Sequence, residues 1–146
     1  DFFCTFVIIK LEVNMCIFCD IVSGKIPCYK IYEDKDVLAF LDTAKDVDGH
    51  TLVIPKKHYE NILDCPNYLL QKTILAVKKI AKHYVNDCGF DGVNLHNANN
   101  SCAGQSVFHL HLHILPRKND NPVNFVPNNT AKFELKEMQQ KLKMEK

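Results

Sequence analysis

The sequence predicts one α+β domain, in which a mostly antiparallel sheet of five strands is accompanied by two main helices. Short runs of β-branched and aromatic residues, separated by turn signals, indicate the strands. One long segment has its apolar residues at helical spacing, and runs of strands with two or three helices are typical of the α+β class. The chain has 146 residues, of which 47% are hydrophobic and 24% are charged. It is therefore long enough for one core, and it is not a disordered, collagen-like or coiled-coil chain.

The first part of the domain is predicted to contain a short helix and three strands. Cys16–Ser23 is predicted to be helical, because Gly24 follows it as a C-cap residue and Pro27 lies just beyond. Asp34-Lys35 is a tight link, which predicts a hairpin between the first two strands. A polar loop extends from Asp42 to Gly49. The three strands are predicted at Tyr29–Glu33, Val37–Leu41 and Thr51–Ile54.

The second part is predicted to contain the longest helix and two more strands. Pro66 opens this helix and Gly89 ends it. Its apolar positions are Leu70, Ile74, Val77, Ile80, Ala81, Tyr84 and Val85. The strands are predicted at Val93–Asn97 and Ser106–Leu115, the second stopped by Pro116. Residues 119–130 are predicted to be irregular, and Lys132–Lys143 is predicted to be a helix that lies on the body or in a dimer.

Charge and cysteine usage limit the partners and the compartment. Lys and Arg number 18 against 17 Asp and Glu, and this near-neutral balance offers no clustered basic face for nucleic acid. No segment approaches the ~20 apolar residues of a membrane span, so no membrane partner is expected. Seven cysteines, an odd and scattered set, favour a reducing compartment, and we expect a cytoplasmic protein. We expect an N-terminal extension at 1–14, a domain at 15–121 and a C-terminal segment at 122–146; Met15 could equally be the natural start, with residues 1–14 lying upstream of it.

Three alternating histidines carry the strongest chemical signal. His109, His111 and His113 are separated by single apolar residues, so on a strand they share one face. A lone histidine at such a position is more often a hydrogen-bonded structural residue. Three in alternation indicate a site, and a metal site is one interpretation of it. The alternate residues, which are expected to enter the core, are Phe108, Leu110, Leu112 and Ile114.

A possible anion-binding turn directly precedes this strand. Gly104 permits a close backbone approach to a ligand, and the Gln105 amide and Ser106 hydroxyl can donate to phosphate oxygens. A neutral imidazole beside such a turn can act as a nucleophile toward phosphorus.

Other residues have plainer interpretations: His83 is a solvated surface residue, and Cys88 is a small hydrophobe or an exposed thiol.

The motif His109-Leu-His111-Leu-His113-Ile-Leu resembles the signature of the histidine triad family. The resemblance covers about residues 15–118, and it is strongest to the HINT-like branch, whose bacterial members begin Cys-Ile-Phe-Cys. It implies the HIT-like fold and a homodimer whose sheets join across the two-fold axis. Further matching stretches are Cys16-Ile-Phe-Cys19-Asp-Ile-Val-Ser-Gly-Lys-Ile-Pro, Gly49-His50-Thr-Leu-Val-Ile-Pro-Lys-Lys-His58 and Gly104-Gln-Ser-Val-Phe-His109.

The resemblance also implies roles for individual residues. His111 would attack the α-phosphorus of a nucleotide and form a nucleotidyl-histidine, which water then hydrolyses. His113 and His50 would line the phosphate and leaving-group side, and Asp42 would bind the ribose hydroxyls. Gly104, Gln105 and Ser106 would approach the phosphate oxygens, with Ser106 also assisting catalysis. An apolar slot for the base would be formed by Phe18, Ile21, Phe40 and Leu41, of which Phe40 and Leu41 also suit plain strand packing.

The sequence departs from the family pattern in the phosphate loop. Family members commonly have a polar residue seven positions before the Gln of Gly-Gln-Ser, where it reaches the phosphate. Here that position is Ala98, flanked by Asn97 and Asn99. Either asparagine could substitute if the loop shifts, so both are candidates.

Cys16 and Cys19 form a second candidate site. A Cys-x-x-Cys pair alone suits a zinc half-site, a redox pair or coincidence. The resemblance implies zinc, because related proteins hold this metal on two cysteines and two histidines, here completed by His58 and His109. A redox pair is disfavoured, since no thioredoxin-like βαβ pattern surrounds it.

These observations predict a hydrolase that cleaves a purine nucleoside monophosphate from its leaving group, in particular a P–N bond. A dinucleoside polyphosphate hydrolase is the first alternative, because that branch of the family shares the Pro116-Arg117 that follows the triad. A nucleotide- and zinc-binding regulatory module, with incidental catalysis, is the second.

Overall fold

The structure contains three helices, five strands and one 3₁₀ turn within the described residues. A computed structural model describes residues 16–44, 46–123 and 130–144, so the expected extension at 1–14 lies outside the described residues. The helices are α1 (Ile17–Val22), α2 (Asn67–Asn86) and α3 (Leu135–Leu142). The strands are β1 (Lys30–Glu33), β2 (Val37–Leu41), β3 (Thr51–Pro55), β4 (Gly92–His96) and β5 (Leu112–Arg117), and a 3₁₀ turn spans Ser101–Ala103.

The five strands form one sheet in the order β1-β2-β3-β5-β4, and every neighbouring pair is antiparallel. This confirms the predicted α+β class and the five-stranded antiparallel sheet. Alternate residues of β2 enter different cores, as the period of a strand requires. Val37 and Ala39 pack on the side of α2, whereas Leu38 and Phe40 pack with Phe18 of α1. Both faces of the central strands are therefore covered.

Helix α2 forms the layer over one face, with a buried stripe slightly rotated from the predicted one. The buried positions are Leu69, Thr73, Ala76, Val77, Ile80 and Tyr84. Ile74, expected in the stripe, is 41% exposed, and Val85 is exposed as well. Thr73 takes the inward position because its hydroxyl donates to Leu69 O at 2.8 Å, so its burial leaves no unpaired donor.

The predicted strand Ser106–Leu115 is wrong in its boundaries, because β5 begins at Leu112 and continues to Arg117. Before Leu112 the chain bends, since Leu110 N donates to Tyr59 O at 2.7 Å instead of to a sheet neighbour. Phe108, expected in the core, is 43% exposed on this bend. Pro116 does not stop the strand. The pairing of β3 with β5 already ends at Ile114, so the N–H group that Pro116 lacks is not needed for a hydrogen bond to β3.

The C-terminal helix is shorter than predicted and none of its residues is buried. It begins at Leu135, and both Leu135 and Leu142 are exposed. Across the described ranges, no helix is both long enough and apolar enough to cross a membrane.

Candidate functional site

The bend and the start of β5 place the three histidines on one side of the sheet. Leu110, Leu112 and Ile114 all enter the core beneath α2, so the predicted alternation holds although the first part is not a strand. On the opposite side, the Phe18 ring lies 5.9 Å from the ring of His109 and 5.2 Å from that of His111. His113 continues the row, 4.9 Å from His111. All three distances are between ring centroids. The histidines belong to two neighbouring groups of side chains, or centres, the first around His109 and the second around His111 and His113.

The first centre brings together the four predicted zinc ligands. One donor atom from each of Cys16, Cys19, His58 and His109 lies within 4.8 Å of all the others. The two Nδ1 atoms of the histidines are 3.2 Å apart, and Cys19 Sγ is 3.4 Å from His58 Nδ1 and 3.6 Å from His109 Nδ1. Helix α1 supplies both cysteines, because Cys16 is its N-cap residue and Cys19 lies in its first turn.

The donor atoms fit a tetrahedral zinc ion. With ordinary bond lengths, such an ion holds two nitrogen ligands about 3.3 Å apart and a nitrogen about 3.6 Å from a sulfur. His109 Nε2 donates to Pro55 O at 2.7 Å, so its proton is on Nε2 and the lone pair of Nδ1 faces the cluster. Burial, with the neighbouring Cys16, raises the pKa of the Cys19 thiol to about 11, and a bound cation would reverse this by stabilising the thiolate.

The second centre contains the predicted nucleophile. His111 Nδ1 donates to the backbone O of His109 at 2.7 Å. A carbonyl only accepts, so Nδ1 carries the proton and Nε2 keeps a free lone pair. Burial lowers the pKa of His111 below its ordinary value, which keeps the ring neutral near neutral pH. The His111 ring is therefore neutral, and its Nε2 lone pair is free to contact a ligand.

A chain of three side chains extends from His113 to a loop carboxylate. His50 Nε2 and His113 Nδ1 are 2.8 Å apart, and His50 Nδ1 lies 2.6 Å from Asp46 Oδ1. Burial, together with the charges that His111 and His50 would carry, lowers the pKa of His113 to about 4. Because the carboxylate accepts from His50 Nδ1, His50 Nε2 accepts in turn from His113, and His113 Nε2 has a free lone pair.

Asp42, the predicted ribose ligand, stands beside this chain at the mouth of a pocket. Its Oδ2 is 3.7 Å from His50 Nε2, and its Oδ1 accepts from Ala44 N at 2.9 Å. A pocket of about 390 Å³ lies against Asp42, with Tyr29 and Leu41 as its apolar walls. The pocket therefore offers an apolar surface directly beside the Asp42 carboxylate.

The four residues predicted for the base slot are divided between this pocket and the core. Phe18 and Phe40 are buried, with ring centroids 5.6 Å apart, and Ile21 packs against the same cluster. Leu41 lines the pocket with Tyr29, which the sequence did not single out, and Phe40 lines a smaller cavity that shares Leu41 and Asp42 with the pocket. Phe18 contacts the His111 ring edge to face.

The loop before the triad is held by its own side chains. Gln105 is buried: its Oε1 accepts from Asn100 N at 2.8 Å and from Asn61 Nδ2 at 3.3 Å, while its Nε2 donates to Glu60 O at 2.6 Å and to Val107 O at 3.1 Å. These bonds occupy both ends of the amide that was expected to contact phosphate. The turn next to it ends at Gly104, whose φ of +90° favours glycine.

The two candidate asparagines also face inward, on either side of Ala98. Asn97 Nδ2 donates to His111 O at 2.9 Å, and Asn99 Nδ2 donates to Asn97 Oδ1. Ala98 itself is buried. Ser106, in contrast, is exposed, and it remains the candidate of this loop with an accessible hydroxyl.

Sequence reasoning missed residues that act on the predicted ones. Asp46 precedes His50 by four positions in a loop predicted only to be polar, and nothing in that pattern indicates a hydrogen bond to the imidazole. Asn61 and Asn100 carry no motif at all, yet both bind Gln105. Only the turns of the chain bring these residues together.

Comparison with known proteins identifies the family of this chain. A family model described as the HIT domain matches residues 23–120. An uncharacterized HIT-like protein of Methanocaldococcus jannaschii is 50% identical over 103 residues, which cover 70% of this chain and 79% of that protein. The adenylylsulfatase HINT3 of Arabidopsis thaliana is 42% identical over 105 residues, which cover 72% of this chain but only 53% of that longer protein.

A solved structure shows the same fold. The crystal structure of a zinc-bound histidine triad family protein from Mycobacterium smegmatis superimposes with a TM-score of 0.72 at 37% identity, covering 79% of this chain and 84% of that one. The family match spans more than half of the chain, and it includes β5 with the alternating histidines. The resemblance seen in the sequence is confirmed: the chain belongs to the histidine triad family.

Proposed function

We propose that this protein is a nucleotide hydrolase that cleaves a purine nucleoside monophosphate from its leaving group through a nucleotidyl-histidine, and that P–N bonds are its preferred target. The orientation of His111 carries the proposal, because its Nδ1–H is bound to the His109 carbonyl and its Nε2 is left free. The relative HINT3 is named an adenylylsulfatase, which supports an adenylyl group as the transferred unit.

The reaction proceeds in two steps at the second centre. His111 Nε2 attacks the α-phosphorus, and the leaving nitrogen takes a proton from His113 as the P–N bond breaks. In the free protein His113 is neutral at pH 7, but the negative charge of a bound phosphate favours its protonated form. In the second step His113 Nε2 takes a proton from water, which attacks phosphorus and releases His111.

The surrounding residues bind and orient the nucleotide. Asp42 accepts hydrogen bonds from the ribose hydroxyls, while Leu41 and Tyr29 contact the base. The exposed Ser106 hydroxyl donates to a phosphate oxygen, and the backbone at Gly104 lies close to it. Gln105, Asn97 and Asn99 support the loop that carries these groups.

Cys16, Cys19, His58 and His109 would hold zinc in this proposal. When bound, the metal would have four protein ligands and would stabilise the fold, as closed sites of this composition do. Its ligand His109 also carries the carbonyl that orients His111, so the metal site and the nucleophile are two residues apart in the chain.

We also propose a cytoplasmic homodimer. Strand β4 lies at the edge of the sheet, and its Leu95 is 51% exposed, so both backbone and apolar groups lack a partner within the described chain. Joining two β4 edges across a two-fold axis would extend the sheet. Sedimentation equilibrium tests this: a monomer at micromolar concentration would contradict it.

The central experiment is single-turnover cleavage of adenosine 5′-phosphoramidate by the wild type, His111→Ala and the control His83→Ala, with zinc counted on each sample. We expect His111→Ala to lose about a thousandfold or more in rate while it retains its metal, and His83→Ala to keep the wild-type rate. Failure of the folded, metal-loaded wild type to cleave would contradict the phosphoramidase assignment.

Two further measurements separate the alternatives. Competition between the phosphoramidate, a dinucleoside tetraphosphate and adenylyl sulfate identifies the preferred leaving group. If the tetraphosphate is preferred, the protein belongs with the dinucleoside polyphosphate hydrolases, the branch with which it shares the Pro116-Arg117 pair. A nucleotidyl group trapped on His111 by acid-free quenching would contradict a pure nucleotide- and zinc-binding module.

A further inference from the structure

A second group of hydrogen-bonded, titratable side chains lies at the C-terminal end of α2, away from the histidine triad. Cys88 Sγ is 3.3 Å from His83 Nε2, and His83 Nδ1 is 2.9 Å from Asp87 Oδ2. The carboxylate accepts from Nδ1, so Nε2 accepts from the Cys88 thiol. A thiol, an imidazole and a carboxylate in this order form the arrangement that activates a cysteine nucleophile.

The end of the helix brings these side chains together. The amides of Asp87 and Cys88 both donate to His83 O, at 2.9 and 3.2 Å, and Gly89 then turns the chain with a φ of +78°. This turn folds Cys88 back toward the preceding helical turn. The side chains of His83 and Asp87 are 57% and 65% exposed, and Cys88 is exposed as well, so a reagent in solution reaches the sulfur.

Cys88 also lines a cleft that can hold a small polar molecule. The cleft has a volume of about 610 Å³, and Phe90 and Pro116 form its apolar wall. Its charged lining carries both signs: Arg117 and Lys118 are basic, and Asp46, Asp48 and Asp120 are acidic. Such a lining suits a ligand that has both carboxylate and ammonium groups.

We propose that Cys88 is a nucleophilic thiol that exchanges with small zwitterionic disulfides bound in this cleft. His83 Nε2 takes the thiol proton, and the thiolate attacks one sulfur of the disulfide. The new bond joins Cys88 Sγ to that sulfur as the old S–S bond breaks, and the leaving thiolate takes the proton back from His83. One thiol and one disulfide give one mixed disulfide and one thiol, so atoms and electrons balance.

Cys102 provides a matched control within the same molecule. It is also exposed, on the 3₁₀ turn before the triad, and among the described side chains no imidazole is hydrogen-bonded to its sulfur. Differences between Cys88 and Cys102 therefore report the local arrangement and not the reagent or the folding of the sample.

The test exposes the full-length, metal-loaded protein to glutathione disulfide at pH 7 and follows each cysteine by peptide mass spectrometry after an acid quench. We expect Cys88 to react on the order of fivefold faster than Cys102, because His83 Nε2 is placed to take the thiol proton as Cys88 attacks, and no described imidazole is so placed at Cys102. His83→Gln should reduce that ratio to about one and leave the rate at Cys102 unchanged. Equal rates in the wild type, or an unchanged ratio in His83→Gln, would overturn the proposal.

The role of the cleft is tested with an uncharged reagent, bis(2-hydroxyethyl) disulfide. If the cleft binds the zwitterion, the ratio of Cys88 to Cys102 is higher with glutathione disulfide than with the neutral reagent. A ratio that is the same for both reagents would overturn the assignment of the cleft as the binding site. Circular dichroism of His83→Gln checks that helix α2 is intact in this exposed variant.

Discussion

Replacing Asp46 by asparagine removes one negative charge from the end of the His113–His50–Asp46 chain and keeps its shape. In the wild type Asp46 Oδ1 accepts from His50 Nδ1 at 2.6 Å. Partial burial opposes ionisation of this carboxyl, but the hydrogen bond from His50, the charge that His50 would carry and the backbone amides together outweigh it and lower the pKa of Asp46. The amide oxygen of asparagine can still accept from His50, so Asp46→Asn removes the charge without removing the acceptor.

The size of the effect follows from the exposure of the pair. A hydrogen bond to a charged group contributes about 1.5–3 kcal/mol. The Asp46 side chain is 49% exposed while that of His50 is 7% exposed, so solvent screens part of this interaction. A remaining contribution of about 1 kcal/mol to the charge that develops on His113 corresponds to roughly a fivefold change in rate.

The assay measures the hydrolysis of preformed nucleotidyl-histidine in a rapid-quench instrument at pH 7. We expect Asp46→Asn to slow this step about fivefold with little change in KM, because Asp46 is separated from the pocket walls by His50. Asp120→Asn is the matched control, since it removes the same charge from a carboxylate that lines the same cleft as Asp46 but not the nucleotide pocket. An Asp46→Asn rate equal to that of the wild type, or an equal loss in Asp120→Asn, would refute the role of the chain.

The remaining predictions concern stability. Chelation of the metal should lower the melting temperature on the order of 10 °C, as measured by calorimetry before and after zinc is restored. Gln105→Ala should lower the free energy of unfolding by about 3 kcal/mol, because it removes four hydrogen bonds of a buried amide, one of them to the buried Asn61; urea denaturation at constant metal content measures this. Leu110→Ala should cost about 3 kcal/mol by the same assay, whereas Phe108→Ala, on the exposed bend, should cost less than about 1 kcal/mol. The pKa of His113 is about 4 in the folded state against an ordinary value of 6.5, so the unfolded chain binds the proton first and stability falls as pH falls below 6.5. The loss between pH 7 and 5 should be about 2 kcal/mol larger in the wild type than in His113→Gln.

Local patterns predicted those elements whose geometry depends on neighbouring residues. Val37–Leu41 is β2 with the bounds expected from its β-branched and aromatic run, and its alternation sorts side chains into two cores. Helix α2 begins directly after Pro66, whose fixed φ suits a helix entrance. The grouping of Cys16, Cys19, His58 and His109 was expected from the resemblance, and helix α1 supplies its two cysteines.

The boundary of β5 and the supports of the site could not be predicted, because both depend on distant hydrogen bonds. Leu110 N finds Tyr59 O, more than forty residues away, in preference to a strand neighbour. Gln105 is held by a segment of similar separation, through Glu60 and Asn61. Periodicity describes which way a side chain points, but it contains no information on which loop will supply its partner.

His109 links the Cys/His cluster to His111 through different atoms of one residue. Its Nδ1 faces the cysteines, its Nε2 is fixed by Pro55 O at the end of β3, and its backbone O accepts from His111 at 2.7 Å. The spacing of two residues makes the last contact possible, because it places both side chains on the same side of the chain. The ring that would hold zinc and the carbonyl that fixes the tautomer of His111 therefore belong to the same residue. The cluster and the predicted nucleophile differ in chemistry, yet both depend on the position of His109.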